Sequence, residues 1–213
     1  MSYKLREVSL PLLPKGHSDI RVLHFSDLHL TPRRKTEIAD IKSFAQLKPD
    51  LVISTGDFLA SKDAVPTVID ALADLFDVPG LFVFGSNDYY APLMKNPFSY
   101  LMKDDGTRKH GEELPWRGLK ASLEQLGWID LTHIRTKIQI KDTLIEARGT
   151  DDAHLMRDDY QLVAGKPKKV DFSIGVTHAP YKRLIKAMSK DDLDLIFAGH
   201  TQDRKSTRLN SSH

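Results

Sequence analysis

Ile20-Arg21-Val22-Leu23-His24-Phe25-Ser26-Asp27-Leu28-His29 is the stretch that decides how this chain is read. An apolar run suited to a buried strand leads straight into a carboxylate and an imidazole. Alternate side chains of an extended chain share a face, so Asp27 and His29 point the same way. The pattern then recurs. Leu51-Val52-Ile53-Ser54-Thr55 ends in Gly56-Asp57, and Leu81-Phe82-Val83-Phe84 ends in Gly85-Ser86-Asn87-Asp88. Phe172-Ser173-Ile174-Gly175-Val176 ends in Thr177-His178, and the run 193–198 ends in Gly199-His200-Thr201.

Between these runs lie segments with helical spacing of apolar residues, at about 35–47, 64–76, 119–126 and 181–188. Lys137–Ile140 and Thr143–Ala147 alternate like a hairpin around Lys141-Asp142. Strands alternating with helices predict an α/β fold. Residues 91–118, rich in Pro, Lys, Asp, Gly and aromatics, read as a long accessory loop. No internal repeat and no linker divides the rest.

Composition narrows the chemistry. The 213 residues include 31 Lys+Arg, 29 Asp+Glu and no cysteine. That length can bury a real core, and 40% hydrophobic with 28% charged residues fits a globular chain. The missing cysteines exclude a disulfide scaffold, a thiol nucleophile and thiolate metal sites. A metal here falls to His, Asp, Glu or Asn, which suit divalent zinc, manganese, iron or cobalt. No apolar run approaches the roughly 20 residues of a membrane span, and the first residues lack a signal-peptide core. The expectation is a cytoplasmic protein, at most peripheral to a membrane. The net charge of +2 lies in residues 203–213, which hold three bases and one acid; the remainder carries 28 of each sign. A neutral chain gives no strong nucleic-acid signal and disfavours a nuclease.

Each strand-end cluster alone is ordinary. Gly-Asp is commonly a turn, and a lone strand-end His is more often a surface or core residue. Five in this order, all at the carboxyl ends of strands where α/β sheets bind ligands, argue for a dinuclear metal centre. Two metals about 3.5–4 Å apart clamp phosphoryl oxygens and lower the pKa of a bridging water toward neutral. The resulting hydroxide attacks phosphorus in line, so no protein nucleophile is needed.

The order DLH, GD, GSND, THAP and GHT resembles the calcineurin-like metallophosphoesterases, over about residues 20–202. The resemblance implies a four-layer α/β/β/α sandwich, two divalent ions (Mn, Fe or Zn) and a phosphomonoester or phosphodiester substrate. It implies that Asp27 and His29 hold the first ion, that Asp57 bridges, and that His178 and His200 hold the second. The second His of the family's GHxH motif falls on Gln202. A lipid-linked or cell-envelope phosphate is the substrate suggested by the subgroup with such a long loop. The rival is a non-catalytic scaffold on the same fold. Five converging ligands argue against it.

Two positions depart from the family pattern. Where the family has Gly-Asn-His-Asp/Glu, this chain has Gly85-Ser86-Asn87-Asp88. Aligned without a gap, Ser86 takes the ligand position and Asn87 that of the acid His. The Asn amide oxygen is the better ligand, so Asn87 is the favoured ligand, with a substrate-binding or outer amide as the alternative. Asn87 and Asp88 are the candidate catalytic residues of this loop, Asp88 as a carboxylate that orients a neighbouring ligand. The usual acid His is missing, so slower turnover of poor leaving groups is expected. The second departure is Gln202. The tail DRKSTRLNSSH after it resembles a translated sequencing adapter joined inside codon 202, where a His codon beginning CA would become Gln. The expectation is that 203–213 are foreign, that the natural chain continues past 202, and that this chain has an open sheet edge and an incomplete first metal site.

Three further features carry weaker expectations. Gly149-Thr150-Asp151-Asp152-Ala153-His154 reads equally as a rim near the metals or as a capped turn. His24 reads as a core or outer histidine rather than a ligand. Tyr89 and Trp116 read as packing under the long loop.

Overall fold

A computed structural model describes residues 3–92 and 111–200. Two four-stranded sheets form the centre. The first is wholly parallel, in the order β1 (Val22–Phe25), β2 (Leu51–Ser54), β3 (Gly80–Phe82) and β4 (Ile129–Asp130). The second runs β5 (Arg135–Ile140), β6 (Thr143–Gly149), β7 (Phe172–Thr177) and β8 (Leu195–Ala198). Only the β5–β6 pair is antiparallel, the predicted hairpin.

Alternation along the strands sorts their side chains into three cores, and three cores require four layers. Leu51 and Ile53 of β2 and Leu81 and Val83 around β3 face Ile145, Ala147, Ile174 and Val176 of the second sheet. Val52, Phe82 and Phe84 face the other way, onto Ile41, Val68, Leu72, Leu119 and Leu123. Those residues belong to α1 (Lys35–Lys42), α2 (Val65–Ala71), the chain just after it, and α4 (Trp116–Gln125). On the far side, Leu184 and Met188 of α5 (Lys182–Lys190) pack with Ile196, Tyr160 and Val163. The chain is therefore the expected α/β/β/α sandwich.

The structure adjusts several boundaries. The helix predicted over 35–47 is α-helical to Lys42 and tightens to a 3-10 turn at Ser43–Leu47, where Lys48 takes a left-handed φ of 51°. The helix over 64–76 likewise ends in a 3-10 turn, Ala73–Leu75. The accessory loop is shorter than 91–118. A bridge joins Tyr90 to Glu113, and α4 starts at Trp116 because its ring packs on Tyr89 and Phe84, with centroids 5.0 and 5.9 Å away. Residues 93–110 of that loop, Gln202 and the tail 203–213 lie outside the described residues. A four-residue helix, α3 (Ser86–Tyr89), and the short strand β4 were not anticipated; both are too short to show periodicity.

Candidate metal centre

Strands β1 to β4 form one parallel block and β6 to β8 the other, and the residues that follow β1, β2, β7 and β8 come together at one edge. The backbone there is unusual. Asp27, His29, Asp57 and His200 all have positive φ, at 56°, 44°, 60° and 47°. Such residues cost about 1 kcal/mol or more each and persist where surroundings hold them. Here the loops after β1 and β2 are zipped together. The Asp27 N–H donates to the Gly56 carbonyl and the His29 N–H to the Asp57 carbonyl, both at 2.9 Å.

Two glycines make room for this. Gly56 has φ 94°, and a Cβ on it would lie 2.4 Å from the Gly85 nitrogen. A Cβ on Gly85 would lie 2.2 Å from Asp57 Oδ1 and 2.5 Å from the His178 ring.

Asp88 anchors the same loops. It is fully buried, and it accepts the N–H groups of Asp57 (2.7 Å), Phe58 (2.7 Å), Leu59 (3.1 Å) and Gly85 (3.0 Å). Both of its oxygens accept backbone N–H groups, three of them from the loop that carries Asp57. Burial and the Asp57 carboxylate push its carboxyl up to about 7, against the pull of its backbone donors.

The site atoms converge. His178 is fully buried, and its Nδ1 lies 2.6 Å from the Thr55 carbonyl. A carbonyl only accepts, so Nδ1 carries a proton and Nε2 is the ring nitrogen turned toward the cluster. Nε2 sits 3.5 Å from Asp57 Oδ2. Asp27 accepts the His200 N–H on Oδ2 at 3.1 Å. Its Oδ1 stands 3.8 Å from His29 Nε2 and 4.0 Å from His200 Nδ1. His29 Nε2 also stands 3.7 Å from Asp57 Oδ2. Ligand atoms of Asp27, Asp57, His178 and His200 all lie within 4.8 Å of one another.

These separations exceed hydrogen-bond length, and Asp27 Oδ1, His178 Nε2 and His200 Nδ1 are buried with no hydrogen-bond partner among the described residues. Ligands about 2.1 Å from a shared ion stand roughly 3.0–3.4 Å apart, which the cluster approaches with small adjustment. The donor set therefore fits a divalent ion. Burial opposes the Asp27 charge, yet the His29 and Ser26 side chains and the His200 N–H hold its carboxyl well below the usual range. Burial likewise opposes the His29 charge, but Asp27, Asp57 and Asp88 outweigh it and raise the imidazole pKa.

In the GSND loop, Asn87 is the residue that reaches the cluster. Its N–H donates to Asp57 Oδ1 at 2.9 Å, and its Nδ2 donates to Asp57 Oδ2 at 2.7 Å. Around the rim, Asp152 is buried and accepts the N–H groups of His154 (3.1 Å) and Leu155 (3.0 Å), so the 149–154 run is a capped turn. The turn also borders the site, because the exposed His154 ring lies 5.6 Å from that of His200. His24 lies on β1 with an exposed side chain. Its Nε2 is 3.0 Å from Thr55 Oγ1 and its ring packs edge-on against Phe197. The packed inner part of the ring draws its pKa down toward about 4, with Asp27 opposing, although its outer edge is open to water. Thr55, which orients His178, carried no signal in the sequence, since a strand threonine is unremarkable on its own.

The sequence pattern of the calcineurin-like phosphoesterases matches residues 20–204. The chain belongs to the calcineurin-like phosphoesterase family. Two relatives illustrate its range. "Transmembrane protein with metallophosphoesterase domain" of Bos taurus is 26% identical over 200 residues, covering 92% of this chain and 43% of its own length. "Uncharacterized metallophosphoesterase YkoQ" of Bacillus subtilis (strain 168) is 25% identical over 188 residues, covering 85% and 60%. The chain thus spans about half the length of the curated relatives it matches. Among solved structures, TT1561 of Thermus thermophilus aligns with a TM-score of 0.47 at 13% identity, over 84% of this chain and 81% of that one. A purple acid phosphatase from yellow lupin seeds aligns with a TM-score of 0.46 at 13% identity, over 87% and 38%. No helix among the described residues of this phosphoesterase-family chain is long and apolar enough to cross a membrane.

Proposed function

We propose that this chain is a metal-dependent phosphoesterase acting on a phosphomonoester or phosphodiester through a dinuclear centre. The observation that carries the reading is the set of three buried, partnerless ligand atoms on Asp27, His178 and His200, grouped with Asp57. Asp27 and His29 would hold one divalent ion, His178 and His200 the other, with Asp57 between them and Asn87 beside Asp57; Gln202 is the remaining family position. Bound ions there would supply Lewis acidity toward a phosphoryl oxygen and a water of lowered pKa.

The residues do the rest. The Thr55 carbonyl fixes the His178 tautomer, and Asp88 holds the Asp57 loop rigid. Asn87 offers an amide where the family offers an imidazole, so it orients and does not protonate a leaving group. Esters with good leaving groups are the better substrates as a result. The bovine relative is named for a membrane, so a lipid-linked phosphate belongs beside soluble esters in the assay. The test is metal content after purification, followed by hydrolysis of aryl phosphomonoesters and diesters with manganese added. Bound metal with hydrolysis supports the reading. Neither metal nor hydrolysis overturns it in favour of a scaffold.

A further inference from the structure

A cavity of about 450 Å³ is walled by Tyr89, Trp116, Arg117, Lys120, Asp151 and Arg157, among others. Two elements link its wall to the candidate site. Tyr89 ends α3, the helix that carries Asn87, and Asp151 precedes the buried Asp152. Arg157 is the notable group. Its Nε donates to Asp151 Oδ2 at 2.8 Å. Its guanidinium lies 4.1 Å from the centre of the Tyr89 ring and 6.0 Å from that of Trp116. Asp151 is in turn fixed by the Tyr89 hydroxyl, which donates to Oδ1 at 2.7 Å.

The other cations of the wall are already matched. Lys120 pairs with Asp130 and with Glu124, and Arg117 pairs with Glu113. Among the described residues, the Nη groups of Arg157 meet no acceptor. A guanidinium locked by one carboxylate and by stacking has lost its rotamer freedom in advance. Its outer edge can then take an oxyanion at little further entropic cost.

We propose that Arg157 is a specificity residue that binds a second anionic group, a carboxylate or a further phosphate, on the substrate whose ester sits at the metal centre. This rests on the phosphoesterase reading and names its substrate class, a phosphate ester with a second negative charge.

Two measurements test it. The first compares phosphate release from 3-phosphoglycerate with that from glycerol 3-phosphate, which lacks the carboxylate. The wild type should favour 3-phosphoglycerate, chiefly through a lower KM. Arg157→Gln should lower kcat/KM for 3-phosphoglycerate at least tenfold more than for glycerol 3-phosphate. Arg157→Lys, which keeps the charge without the fork, should fall between. The second measurement needs no turnover: tryptophan fluorescence of chelator-treated protein is titrated with inorganic pyrophosphate, Trp116 being part of the wall. Saturation in the wild type, at least tenfold weaker in Arg157→Gln at an unchanged melting temperature, supports the site. Equal titration of both proteins, no titration, or a substrate preference that survives the substitution overturns it. A titration that depends on Arg157 in a protein without hydrolysis supports the anion site and counts against the phosphoesterase reading alone.

Discussion

Replacing Gly85 with alanine adds one methyl group at the most crowded point of the metal centre. The Gly85 backbone has φ −109°, which alanine adopts freely, so the effect isolates sterics. The new Cβ would stand 2.2 Å from Asp57 Oδ1 and 2.5 and 2.6 Å from His178 Cε1 and Nδ1. Ordinary contact is about 3.5 Å, so both side chains must retreat by roughly 1 Å. Neither can do so cheaply. Asp57 and His178 are fully buried, His178 is tied to Thr55, and the Asp57 N–H to Asp88. Overpacking of this kind costs about 1–3 kcal/mol, and displacement of ligands by ~1 Å costs on the order of 100-fold in function. The matched control is Gly118→Ala in α4, where a Cβ meets nothing within 4 Å; helix propensity there predicts a gain of about 0.5–1 kcal/mol. Urea unfolding of both variants in chelator, with manganese affinity followed by thermal shift, reads the two effects. Gly85→Ala with wild-type stability and wild-type manganese affinity would refute the steric reasoning.

Manganese at about 100 times its Kd should stabilise the wild type by ~2.7 kcal/mol, and Asp57→Asn should abolish that melting shift; a shift that survives removes Asp57 from the site. His24 has a folded pKa of about 4 against 6.5 unfolded, so the unfolded chain binds the extra proton between those values. Stability is therefore lost as pH falls through that window; because the His24 side chain is exposed, water screens the effect and the loss between pH 7 and 5 is well under ~2 kcal/mol. His24→Gln should flatten this slope in urea midpoints, and an unchanged slope counts against it. Glu146, 2% exposed, pairs with the fully buried Arg148 and with Arg135. Glu146→Gln should cost about 1.5–3 kcal/mol in the same assay, the value of a hydrogen bond to a charged group, because Arg148 keeps Asp191 and the Val163 and Gly165 carbonyls, and no measurable loss would show the Glu146 contact to be dispensable.

At Gly85-Ser86-Asn87-Asp88, the short helix gives neighbouring residues different partners. Letters alone allow Ser86 or Asn87 to take the inward position. The short helix α3 begins at Ser86 and turns Asn87 onto both oxygens of Asp57. Its third residue, Asp88, points the other way and collects backbone donors from two loops.

Residue types alone showed the strand–helix alternation and the polar residues at the strand ends; the two-sheet sandwich came from the family resemblance. Apolar periodicity reports which face of an element is buried, and a strand's end is where its side chains leave the core. Asp27, His29, Asp57, His178 and His200 were legible for that reason. Tertiary structure alone decided which groups meet. The Thr55 carbonyl that fixes His178 and the stacking that locks Arg157 on Tyr89 join residues 123 and 68 positions apart. Contacts of that span depend on two sheets closing on one edge, and no local pattern of residue types encodes them.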